Sequence, residues 1–183
     1  GEFQVNALTT SDQLRPSVAV EPGGNFWVVF QTNGAVGGDP DGSIQARLYF
    51  ASGVPVEPQE LTLNSSVIGS QQNPRVAAHN DGNFLAVWES FASAGTDADL
   101  SIQAYYLSAT GEPLGDEFQV NTFTTGPQLR PSVAMDASGN FLAAWQSEGS
   151  DGDRTGIRAR FYLVIFHDSF ESGGTERWSS ATP

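Results

Sequence analysis

The chain is patterned as short apolar runs separated by residues that favour turns. In its first third the runs are PSVAV (16–20), NFWVVFQT (25–32), SIQARLYF (43–50) and QELTLN (59–64). The second run is apolar at successive positions, as in a strand covered on both faces, whereas the third and fourth alternate more clearly. Helical periodicity is missing, and the Gly, Pro and Asp residues between the runs predict tight turns. This pattern predicts an all-β protein with four short strands in each unit.

The four-strand unit occurs three times. Its markers are QLRPSVA at 13–19 and 128–134, GNF at 24–26, 82–84 and 139–141, SIQA at 43–46 and 101–104 with GIRA at 156–159, and EFQVN at 2–6 and 117–121 with ELTLN at 60–64. Because the markers keep one phase, they define repeats of about 57 residues. We therefore predict one domain over 1–162, with repeats at 1–58, 59–116 and 117–162, followed by a divergent tail at 163–183.

Repeated four-stranded antiparallel units, apolar on both faces in the middle, are typical of β-propeller blades. A β-sandwich and a stacked β-solenoid are the alternative folds. Closed propellers have about four to eight blades, so three blades leave two open flanks. We predict three four-stranded propeller-type blades, either closed as a β-propeller or forming an open array that oligomerisation completes.

The repeat resembles a family of long bacterial surface proteins with tandem units of the form EFQVNT, PxVA, GxFxxxW and GIxAR. The resemblance covers about residues 1–162 and implies a propeller architecture without implying a biochemical role. The tail segment IFHDSFESGGTERW resembles the FxDGFESGxxxxW signature that ends many secreted proteins of Gram-negative bacteria, with departures at Ser169 and Gly174. A strand over 162–166 that caps the last blade is the alternative interpretation of the tail. The resemblances imply a secreted protein, extracellular or at the cell surface.

The composition limits the ligands and the catalytic mechanisms that are open to the chain. The net charge is -13, the basic residues are all Arg, and the chain lacks both Lys and Cys. An acidic surface of this kind disfavours nucleic acid and anionic membranes, and no apolar run approaches the ~20 residues that span a bilayer. Lysine-based catalysis, thiol catalysis and disulfides are excluded, whereas cations are plausible ligands.

A D-x-D pair precedes the third strand of every unit. Alternate carboxylates in a loop suit Ca²⁺, which prefers several oxygen ligands, although Asp and Gly in such loops also serve as turn residues. The candidate metal ligands are Asp39, Asp41, Asp97, Asp99, Asp151 and Asp153.

The first EFQVN copy has no blade before it, whereas the later copies complete the preceding blade as its fourth strand. We expect this copy to act as a donor strand for the third blade of its own or, preferably, of a neighbouring chain. The predicted donor residues are Glu2, Phe3, Gln4, Val5 and Asn6, and the predicted acceptor residues are Ile157, Ala159, Phe161, Leu163 and Ile165.

Departures from the repeat are the places where an active site would lie. His79 replaces Glu21 and Asp136 of the other copies, and Glu89 replaces glutamine, but no nucleophile elbow, zinc motif or phosphate loop accompanies them. The residues therefore predict a non-enzymatic, secreted structural module that self-assembles by strand complementation into a filament or ring. The alternatives are a calcium-supported propeller lectin that binds carbohydrate and, more weakly, a glycoside hydrolase in which Glu89 acts.

Overall fold

The structure is a computed structural model that describes residues 1–34, 40–91 and 99–163. Within these ranges the chain is all β, and no helix there is long and apolar enough to cross a membrane. The eleven strands described are β1 (Gln13–Val20), β2 (Phe26–Thr32), β3 (Ser43–Tyr49), β4 (Leu61–Thr62), β5 (Gln71–Ala78), β6 (Phe84–Phe91), β7 (Leu100–Leu107), β8 (Phe118–Gln119), β9 (Gln128–Met135), β10 (Phe141–Glu148) and β11 (Thr155–Tyr162).

The strands form three antiparallel sheets, one for each repeat. The first blade has the order β1-β2-β3-β4, the second blade β5-β6-β7-β8, and the third blade β9-β10-β11. The predicted all-β class and the three sheets are thus confirmed. The third blade has three strands within the described residues, so its fourth strand stays a prediction. The fourth strand of each earlier blade comes from the EFQVN segment of the next repeat, and the third blade is followed by no such segment.

The blades stack through their first and second strands, with β5 lying between β1 and β9. One apolar cluster joins the first and second blades and contains the buried residues Trp27, Ile44 and Trp88. A second cluster joins the second and third blades and contains Leu85, Ile102 and Trp145. The second strand of the second blade, β6, is therefore apolar on both faces because each face meets a neighbouring sheet.

The first strand of each blade, which we call the inner strand, carries a bulge at the residue before its proline. Arg15, Asn73 and Arg130 have positive φ angles of 53°, 56° and 51°, and the strand register shifts at the same place in β1, β5 and β9. A left-handed conformation is costly for residues other than glycine and persists where the surroundings impose it. The bulge breaks the ladder locally and releases a backbone N–H for contacts outside its own sheet.

Candidate functional site

The bulges connect neighbouring blades through side chains at the end of the second strand. The backbone N–H of Asn73 donates to Gln31 Oε1 at 3.1 Å, and the backbone N–H of Arg130 donates to Glu89 Oε1 at 2.6 Å. Gln31 and Glu89 occupy the same position in the first and second repeats, and Gln146 occupies it in the third. β2 and β6 thus each offer an acceptor to the bulge of the blade that follows.

Glu89 is the most heavily hydrogen-bonded of these three acceptors. Its side chain is only 1% exposed, and its two carboxylate oxygens accept bonds from Gln72 Nε2 at 2.9 Å and Asn73 Nδ2 at 2.6 Å besides the bond from Arg130. A buried carboxylate needs such donors, because desolvation without them is expensive. The Arg15 guanidinium donates in turn to Asn73 Oδ1, which extends the network to the first blade.

We call this network the inner-strand polar cluster; its members are Arg15, Gln31, Gln72, Asn73, Glu89 and Arg130. It lies where β1, β5 and β9 begin, the same end of the blades from which the D-x-D loops emerge. The cluster holds one carboxylate, which accepts the backbone N–H of Arg130 and is linked to Arg15 through Asn73, and both arginine residues are exposed. Carboxylate, amide and guanidinium groups together provide acceptors and donors for a ligand rich in hydroxyl groups.

Sequence reasoning had singled out Glu89 but had missed Gln72 and Asn73. Asn73 occupies the position of Arg15 and Arg130 directly before a proline, and this shared position was the available signal. The bonds themselves join residues 16 to 58 positions apart in the chain, so no local pattern could have shown them.

The predicted metal ligands are described only in part. Asp39 and Asp97 lie outside the described residues. Asp41 accepts a hydrogen bond from the Gly69 N–H at 3.2 Å, which links its loop to the segment before β5. Asp151 accepts one from the Asp153 N–H at 3.3 Å, which is typical turn chemistry. Among the described residues, which include Asp99, no group of three or more His, Asp or Glu is placed to hold a metal ion. Calcium binding therefore stays a prediction.

The predicted donor and acceptor segments are not in contact within this single chain. Residues 2–6 form no strand and lie against the first blade, where the Val5 carbonyl accepts bonds from Arg47 Nη1 at 2.6 Å and the Tyr49 hydroxyl at 2.9 Å. Of the predicted acceptors, Ile157, Ala159 and Phe161 lie on β11, the edge strand of the third blade, and are exposed, as is Leu163, whereas Ile165 is outside the described residues.

The other singular residue, His79, lies at the opposite end of the blades. It is 4% exposed, and its Nδ1 lies 2.6 Å from Asp81 Oδ1 while its Nε2 lies 3.2 Å from the carbonyl oxygen of Ala137. These contacts tie the turn of the second blade to that of the third. They make His79 a connector between blades and place it away from the inner-strand polar cluster.

Comparison with known proteins gives structural likenesses only. No model of a protein family and no curated protein matches the chain. An endo-arabinase from Bacteroides thetaiotaomicron is similar with a TM-score of 0.54 and 20% identity, over 88% of this chain and 60% of that one. A protein of unknown function from Dyadobacter fermentans gives 0.62 and 12%, over 87% and 54%. A thermostable family-43 glycoside hydrolase gives 0.52 and 11%, over 84% and 55%.

These likenesses define the class of fold, which is that of β-propeller glycoside hydrolases. The chain spans a little over half of the length of the structures it matches. They also overturn the prediction of a non-enzymatic structural module whose role is self-assembly. The fold is one that carries enzymes acting on glycosidic bonds, and the absence of familiar catalytic motifs does not exclude an enzyme because one fold can carry many different sites.

Proposed function

We propose that this chain belongs to a carbohydrate-active β-propeller of the glycoside hydrolase type and that its sugar site includes Glu89. The observation that carries this proposal is a carboxylate at a buried position where the other two repeats have glutamine. The likeness to an endo-arabinase and to a family-43 glycoside hydrolase supports the reaction class. Polymers of arabinose are accordingly the first substrates to test.

The structural role of this position does not require a charge. Gln31 accepts the bulge N–H of the following blade with a neutral amide, as Glu89 does with its carboxylate. The negative charge of Glu89 is therefore additional to what holds the blades together. In glycoside hydrolysis a carboxylate stabilises an oxocarbenium-like transition state or transfers a proton, so a charge at the cluster has a chemical use.

Hydrolysis by this mechanism needs a second carboxylate at a separation of roughly 5–9.5 Å, according to whether configuration is retained or inverted. Within the inner-strand polar cluster Glu89 is the single carboxylate. We propose that the second one comes from a blade beyond the three in this chain. Arg15 and Arg130 would bind sugar hydroxyls beside it, since guanidinium groups present several donors in a fixed plane.

The test measures reducing sugar released from arabinan, together with hydrolysis of a panel of chromogenic glycosides. Glu89→Gln should lower the rate by roughly 10²–10⁴-fold, the usual contribution of an acid–base carboxylate, while the fold is kept because glutamine occupies this position in the other repeats. Glu148→Gln, an exposed change at the end of β10, is the matched control and should leave the rate unchanged. Equal rates of hydrolysis by Glu89→Gln and by the parent chain would overturn the proposal.

A further inference from the structure

The outward face of the third blade corresponds to faces that are buried elsewhere in the chain. Ile157 is 75% exposed, whereas the equivalent Ile44 and Ile102 are fully buried between blades. Leu142 is likewise 45% exposed, while its counterpart Leu85 is buried. We call this surface, made of Leu142, Ile157, Phe161 and Leu163, the trailing face. Its composition is that of a blade–blade interface, not of a solvated sheet.

The opposite side of the molecule carries the complementary surface. Val18 of β1 is 59% exposed, although its counterpart Val76 is buried against the first blade. The N-terminal segment 1–12 covers part of this side, which we call the leading face. The arrangement matches the side of the second and third blades that receives a preceding blade.

The N-terminal segment contacts the first blade in the same way that the end of the second blade contacts the third. The Val120 carbonyl accepts bonds from Arg160 and Tyr162 of the third blade, and the Val5 carbonyl accepts the equivalent bonds from Arg47 and Tyr49 of the first. Residues 2–6 thus lie where the outer strand of a preceding blade would lie.

A second set of contacts shows the same correspondence between the N-terminal segment and the repeats. Leu8 and Ser65 follow the first two copies of the EFQVN motif. Glu60 Oε1 accepts the Leu8 N–H at 3.1 Å, and Glu117 Oε2 accepts the Ser65 N–H at 2.6 Å. The first blade therefore carries a prepositioned outer strand that belongs to a blade not formed by the described residues.

Two kinds of hydrogen bond that recur along the chain have one partner on the trailing face and the other on the leading face. Asn64 Oδ1 accepts the Ile44 N–H at 2.8 Å and Asn121 Oδ1 accepts the Ile102 N–H at 2.7 Å, so Asn6 is the matching acceptor for Ile157. The side chain of Gln146 makes no hydrogen bond within the described part of the chain. Its counterparts Gln31 and Glu89 each bind the bulge of the next blade, and the matching donor is the backbone N–H of Arg15.

We infer that the trailing face binds the leading face of a second copy of this chain, with residues 2–6 of that copy pairing with β11. The contact continues the two blade–blade interfaces already present in the chain, residue for residue. Two copies related by a two-fold axis would make this contact twice and close a ring of six blades, which lies within the usual range of about four to eight. The inner-strand polar clusters of both copies would then belong to one ring.

The absence of native cysteine makes this interface testable by cross-linking. Gln45 and Thr62 face each other across β3 and β4, and their side chains are hydrogen-bonded at 3.0 Å. The corresponding pair across the proposed interface is Arg158 and Gln4. Under mild oxidation the variant Gln4→Cys/Arg158→Cys should form a covalent dimer, because opposed cysteines in a non-hydrogen-bonded strand pair satisfy disulfide geometry. The control Gln4→Cys/Ala159→Cys places the two thiols on opposite faces of the sheet and should not cross-link.

Sedimentation of the unmodified chain provides the second measurement. A dimer is expected at micromolar concentration, and Ile157→Asp should shift it to monomer. Val54→Asp, which changes an exposed residue between β3 and β4, should leave it dimeric. A disulfide within one monomer, a ladder of larger cross-linked species, or a chain that stays monomeric would each overturn the inference. In the last case the two faces would belong to interfaces with further blades. These readouts measure mass only, so they fail independently of the sugar hydrolysis test.

Discussion

The Tyr49 hydroxyl donates a 2.9 Å hydrogen bond to the carbonyl oxygen of Val5, and Tyr162 donates the equivalent 3.2 Å bond to Val120. In the second case the bond joins two consecutive blades. In the first it joins the N-terminal segment to the first blade, although no blade precedes it within the described residues. The N-terminus is therefore held by the same interaction that holds one repeat to the next.

Replacing Tyr49 by Phe should loosen the N-terminal segment. The change removes one hydrogen bond and keeps the ring that packs on Phe3 and Phe26, so the free energy of unfolding should fall by about 1 kcal/mol. Hydrogen exchange should become faster at residues 3–8. The matched variant Tyr162→Phe should instead accelerate exchange at 117–121 and leave the N-terminus unchanged. Identical exchange profiles for the two variants would contradict this assignment.

Glu89 should be sensitive to the shape of the side chain that replaces it. Glu89→Ala leaves the Arg130 N–H and the side-chain amides of Gln72 and Asn73 without their buried acceptor, which should cost about 3 kcal/mol of unfolding free energy. Glu89→Gln retains an acceptor oxygen and should cost about 1 kcal/mol. Urea denaturation measures both values. An alanine variant as stable as the glutamine variant would show that the three bonds contribute little.

The architecture was predictable because it rests on patterns local to each repeat. The phase of GNF and SIQA located the second and third strands, and the continuous apolar run around Trp88 indicated a sheet covered on both faces. The two-residue lengths of β4 and β8 were not predictable. Their pairing depends on how far each EFQVN segment follows its neighbour before it turns towards the next blade.

The site and the function were less predictable, because both depend on contacts between blades. The bond from Arg130 to Glu89 joins residues 41 positions apart, and its geometry follows from a bulge that the sequence marks only by a proline. The placement of Val5 was open for a related reason. Each EFQVN copy can pair with the edge strand of one sheet and pack on the face of the next. The residue pattern at 2–6 therefore does not show which of the two contacts forms.

Gly42 should tolerate alanine much less well than Gly53. Both have positive φ angles, 105° and 80°, so both substitutions incur backbone strain. A methyl group at Gly42 would also overlap the Thr32 carbonyl, whereas nothing lies within 4 Å of one at Gly53. Gly42→Ala should therefore lower the free energy of unfolding by ~1–3 kcal/mol more than Gly53→Ala. Its melting temperature should accordingly be clearly the lower of the two. Equal melting temperatures would contradict the predicted overlap at the start of β3.

The tyrosines should have raised pKa values, and stability should therefore fall at alkaline pH. Burial, with a smaller effect of Asp81, raises the pKa of Tyr106 from 10.0 to about 12, and burial also raises the pKa values of Tyr49, Tyr105 and Tyr162. Because the folded pKa of Tyr106 lies above its unfolded value, the associated stability is fully present below pH 10 and is lost as the pH rises towards 12. Tyrosinate absorbance and circular dichroism, followed together, should show the Tyr106 transition coinciding with unfolding. Tyr106→Phe should remove that part of the pH dependence, and an unchanged alkaline midpoint would contradict it.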